Sequence, residues 1–67
     1  MNGIITRVLL GPGYAFVRGD DDGLSYFAHA KSFVPRDSFD KAREGKNVTF
    51  TPAEGEKGLR ADDVHLL

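Results

Sequence analysis

The sequence predicts an all-β chain folded as a small antiparallel barrel or sandwich. Two observations carry this expectation. Eight glycines and three prolines punctuate only 67 residues, a length that fits one domain. Between them lie five short runs rich in β-branched and aromatic residues, such as Tyr14-Ala15-Phe16-Val17 and Val48-Thr49-Phe50.

The elements follow in order. Ile4–Leu10 is the first strand, ended by Gly11-Pro12-Gly13. Tyr14–Arg18 is the second, ended by Gly19-Asp20-Asp21-Asp22-Gly23, and Leu24–His29 is the third. Ala30–Phe33 fits one helical turn, which Pro35 stops because proline also disfavours helix at the residue before it. Ser38–Arg43 fits a second short turn with Ser38 as its cap. Asn47–Ala53 is the fourth strand, closed by Glu54-Gly55-Glu56-Lys57-Gly58, and Leu59–Leu66 is the fifth. Pro52 lacks a ladder donor, so an edge or a bulge is expected there.

Composition excludes several classes. Cysteine is absent, so neither disulfides nor thiolate metal sites hold the chain together. A domain this small buries only about 60% of its unfolded surface, so its core is thin. No apolar run approaches the roughly 18 residues of a membrane span. Met1-Asn2-Gly3-Ile4-Ile5-Thr6-Arg7 lacks the pattern of a signal peptide, so a cytoplasmic protein with no membrane partner is expected. Nine basic against ten acidic residues leave a net charge of −1, so phosphate affinity must come from the placement of charge.

Other constellations have plain structural explanations. Asp20-Asp21-Asp22 suits an acidic hairpin turn better than a calcium loop, which needs more ligands and a closing glutamate. Gly11-Pro12-Gly13 lacks the lysine and the following helix of a phosphate loop. Ser25, Ser32 and Ser38 form no defensible triad with His29 or His65, and His65 reads as an exposed side chain. Neither an enzyme nor a metal or cofactor site is expected.

Alternation assigns faces. Tyr14 and Phe16 share one face of the second strand, and Ala15 and Val17 the other. Phe27 and His29 stand opposite Tyr26 and Ala28 on the third. Strand aromatics usually belong to a core. Yet Ala15, Val17, Tyr26 and Ala28 make a workable interior with Val48 and Phe50, and His29 makes its own face the less suitable one to bury. On pattern alone, both choices stand.

At these residues the chain resembles the bacterial cold-shock domain family, over essentially its whole length. Gly3-Ile4-Ile5 fits the family's opening. Pro12-Gly13-Tyr14-Ala15-Phe16-Val17 resembles its first RNA-binding motif and Tyr26-Phe27-Ala28-His29-Ala30 its second. Glu44-Gly45-Lys46-Asn47-Val48-Thr49-Phe50, Glu54-Gly55-Glu56-Lys57-Gly58 and Ala61-Asp62-Asp63-Val64 match in order and spacing. The resemblance implies a five-stranded antiparallel Greek-key barrel of the OB type. It also implies that Tyr14, Phe16, Phe27 and His29 point outward and stack on the bases of single-stranded RNA or DNA. Departures are many. Arg7 stands where the family has a tryptophan, and a guanidinium plane can also stack. Thr6 and Pro12 replace lysines, and Ala30 replaces a phenylalanine. A further loop aromatic of the family maps to Phe39. Lys57 matches a basic position, Arg60 stands where glutamine is common and replaces lost charge, and Lys31 adds charge beside the second motif, so these three are expected to help hold the phosphate backbone. The expectation is a monomeric nucleic-acid-binding domain spanning residues 1–67, weaker than typical members. The competing class is a barrel that has lost this affinity and serves as a protein-interaction module.

Overall fold

A computed structural model describes residues 1–67. Its strands are β1 (Asn2–Leu9), β2 (Tyr14–Gly19), β3 (Ser25–His29), β4 (Asn47–Gly55) and β5 (Gly58–Leu66). They close into a barrel in the order β1-β2-β3-β5-β4, with β4 returning to β1. The expected five-stranded OB-type barrel is therefore present. Four of its pairings are antiparallel, and the β3–β5 contact that completes the wall is parallel, at Phe27 and Arg60. No helix is long and apolar enough to cross a membrane.

Two tight turns follow from local chemistry. After β2, the Asp22 carboxylate accepts the Leu24 N–H at 2.9 Å and the Tyr26 hydroxyl proton, while Gly23 supplies a positive φ of 68°. One aspartate thus ties the turn to a ring of β3. Between β4 and β5, Gly55 pairs with Gly58, and Glu56 and Lys57 form the tip.

Irregularities in register matter more to the outer face. Ile5 pairs with Val17 but Arg7 with Phe16, so Thr6 is an extra residue in β1. Strict alternation would turn Arg7 inward beneath Ile5. The bulge instead leaves Thr6 and Arg7 both exposed and returns Val8 to the core side. A second bulge lies in β5, where Asp63 and Val64 together oppose Phe50 and Asp63 takes a φ of 49°. Pro52 stands two residues further on, past the end of the β1–β4 ladder. It opposes Ala61 on one side only, which is the edge position expected of it.

The core settles the choice of face. Ala15, Val17, Tyr26, Ala28, Val48 and Phe50 are all buried, together with Ile5, Ala61 and Val64. Tyr26 and Phe50 rest ring against ring at 5.0 Å. Alternation therefore turns Tyr14, Phe16, Phe27 and His29 to the outside. The β3–β4 connection makes two 3₁₀ turns, Ala30–Ser32 and Arg36–Lys41. The second begins earlier than expected. Pro35 caps it, and Ser38 lies inside, its N–H donating to the Pro35 carbonyl at 2.9 Å. Proline with its fixed φ starts a turn as readily as it stops one, so the cap role passes from Ser38 to Pro35.

Candidate nucleic-acid interface

The bulge at Thr6 and the regular pairing of β2 with β3 build one continuous row across four strands. Arg7 pairs with Phe16, Phe16 with Phe27, and Phe27 with Arg60. Two rings lie in the middle and a guanidinium side chain at each end. A second row joins Leu9, Tyr14 and His29. The rings form one cluster: Tyr14 lies 5.1 Å from Phe27 and 5.7 Å from Phe16, Phe16 lies 6.0 Å from Phe27, and His29 lies 6.4 Å from Phe27. Edge and tilted contacts hold Tyr14, Phe16 and Phe27 against each other, so each of these three is half-buried while His29 is exposed and the cluster faces outward.

His29 closes the platform at the first 3₁₀ turn. Its Nδ1 accepts the Lys31 N–H at 3.1 Å, so the neutral ring carries its proton on Nε2, which stays available to a partner. Lys31 itself is exposed on that turn.

On the other side, the β4–β5 hairpin leans over the rings. Phe16, Phe27, Lys57, Leu59 and Arg60 share the lining of an open cleft of about 540 Å³. The fold thus brings Arg7, Phe16, Phe27, Lys57 and Arg60 into one neighbourhood and Tyr14, His29 and Lys31 into the next. Arg7 and Lys57 carry no ion pair; the molecule's one salt bridge joins Arg60 to Asp62. The Arg60 Nε donates to one Asp62 oxygen at 2.9 Å and an Nη to the other at 3.3 Å.

Phe39 departs from its expected role. It is 6% exposed and packs edge-on against Phe33 at 5.1 Å, inside the core beneath the second 3₁₀ turn. A ring held there has no free face to offer a base, so it fastens the β3–β4 connection instead. Where the family's second motif ends in phenylalanine, Ala30 leaves an open cleft of about 500 Å³ shared with Arg36, Asp37, Asp40 and the little of Phe39 that is exposed.

Two outward residues were not singled out from the sequence. Arg18 continues the Tyr14-Phe16 alternation on β2 and pairs with Ser25, between the rings and the acidic turn. Period-two spacing alone would have found it. Leu9 joins the Tyr14 row only because the bulge shifts β1 by one residue, which no pattern in the sequence announces.

No family model matches the chain. Similar proteins do. The cold shock-like protein CspA of Vibrio cholerae is 38% identical over 55 residues, covering 82% of this chain and 77% of the relative. The major cold shock protein CspA of Pseudomonas aeruginosa is 30% identical over 66 residues, covering 98% and 93%. Cold shock protein 2 of Lactiplantibacillus plantarum is 32% identical over 63 residues, covering 94% and 92%. The shared length is nearly that of the barrel, and the names are those of cold shock proteins, not of enzymes. With its closed five-stranded barrel and relatives of this identity and coverage, the chain belongs to the cold shock protein family.

Proposed function

We propose that this protein binds single-stranded RNA or DNA by stacking bases on Tyr14, Phe16, Phe27 and His29. The observation that supports the reading best is the row Arg7–Phe16–Phe27–Arg60, in which two adjacent rings are flanked by a guanidinium group at each end across the wall. Stacking on such rings is worth about 1–3 kcal/mol per base and tolerates any sequence. Arg7 takes the place of a ring at the β1 end, as a charged plane. Lys57 and Lys31 flank the rings from two sides and meet the phosphates. Sequence preference is weak and leans to pyrimidines, and the effect on RNA is to keep it unpaired without chemistry at any bond. The protein acts as a monomer in the cytoplasm.

The test is fluorescence anisotropy of an end-labelled oligo-pyrimidine of about seven nucleotides, within the span that one OB barrel covers. Saturable binding at micromolar concentration is expected, weakened by salt and lost in a folded Phe27→Ala variant. A folded protein that leaves the probe untouched at low salt would sink the reading, and the outward rings would then be a surface for a protein partner.

A further inference from the structure

The two arginines of the ring row differ in electrostatic state. Arg7 is unpaired, whereas Arg60 makes the molecule's only salt bridge. The partner comes from local geometry, because residues two apart on a strand share a face, and this places Asp62 beside Arg60 on the outside of β5. Both carboxylate oxygens are engaged, at 2.9 and 3.3 Å. Gly55, across the hairpin, leaves room for the guanidinium: a Cβ there would stand 3.3 Å from its Nη1. The group is therefore held in a fork on one side and over bare backbone on the other. Side chains 46% and 35% exposed gain little stability from such a pair in water. The consequence lies instead at the site, where Arg60 stands next to Phe27 and lines the same cleft.

We propose that Asp62 is a positioning residue that holds Arg60 as a charge-neutralised planar contact for a nucleobase, and withholds it from the phosphate chain. This rests on the nucleic-acid reading above. A guanidinium forked by a carboxylate keeps its flat faces and its remaining N–H donors, so it can still stack and hydrogen-bond. Its net charge is cancelled, so it releases no counterion when a strand binds. Arg60 reads bases at the β5 end of the row, and the unpaired cations Arg7 and Lys57 carry the salt-dependent attraction.

The experiment is a double-mutant cycle on the oligo-pyrimidine titration, run at several salt concentrations with thermal melts of each variant. Arg60→Ala is expected to weaken binding about tenfold while leaving the slope of log K against log salt unchanged. Asp62→Asn frees Arg60 and is expected to steepen that slope by about 0.7, the increment of one phosphate contact on a single strand. In the Arg60→Ala background, Asp62→Asn is expected to leave the slope alone. Three results overturn the inference while leaving nucleic-acid binding intact. The first is a slope flattened by Arg60→Ala; the second is a slope unmoved by Asp62→Asn. The third is a steepening by Asp62→Asn that persists without Arg60, which would mark a general field effect. Absence of binding by the unsubstituted protein overturns this inference and the function together.

Discussion

Phe16 and Phe27 face each other across β2 and β3, half-buried among neighbouring rings and open to the cleft beneath the β4–β5 hairpin. Phe16→Ala and Phe27→Ala are each expected to cost about 1–3 kcal/mol of binding, one to two decades in Kd, with melting changed little. Titration and thermal melts of the same samples check both halves. Arg7→Trp is expected to restore a full ring at the β1 end, tightening binding by up to about a decade or two while flattening the salt slope. Phe39 gives the opposite signature. Phe39→Leu is expected to lower stability by about 1–2 kcal/mol and leave the affinity of the folded protein unchanged. Its misplacement from the sequence has a physical reason. In a strand, alternation says which way a ring points; in the irregular stretch between β3 and β4 no period exists, and only packing against Phe33 decides. Tyr14, Phe16 and Phe27 were legible because each sits in a regular strand opposite an obvious interior residue.

The turns and bulges behave as units. In the β2–β3 turn, the Tyr26 hydroxyl, and then the Leu24 N–H, hold the Asp22 carboxyl below its ordinary value of 3.8. The same bond to Asp22 raises Tyr26 above its ordinary 10.0. A lowered carboxyl pKa stabilises the fold above the unfolded value, and that contribution is lost as pH falls through the folded one. A raised phenol pKa stabilises below 10.0, and is lost as pH rises through the folded value. Melting temperature is therefore expected to stay level across the neutral range and fall at both ends, with Tyr26→Phe shrinking the acid loss and removing this source of the alkaline one. A pH series of melts on both proteins measures it. In β5, Asp63 carries its positive φ in place of glycine. A β-branched residue tolerates that region poorly, so Asp63→Val is expected to cost about 1–2 kcal/mol. The strands themselves were readable from their glycine-rich boundaries to within two residues at each end. The bulges were not, because an extra residue in one strand is defined only against its partner.

At the scale of the whole barrel, charge is nearly balanced at −1, so binding rests on where the free cations stand. If Arg7, Lys31 and Lys57 each meet one phosphate, log K falls with log salt at a slope of about −2. A slope several times steeper would mean that much more of the basic surface takes part. The closed fold was legible as strands and turns, and the family resemblance supplied their order. The parallel β3–β5 contact lay out of reach of any local pattern, since Phe27 and Arg60 are joined only when the wall closes. That same wall divides the chromophores. The chain has no tryptophan and two tyrosines, one on each side of the sheet. Tyr26 is buried with its hydroxyl bound to a carboxylate, an arrangement that quenches its emission, while Tyr14 shines from among the outward rings. Ultraviolet light therefore sees two separate events without any added dye: under the proposed stacking a bound base dims Tyr14, and unfolding brightens Tyr26.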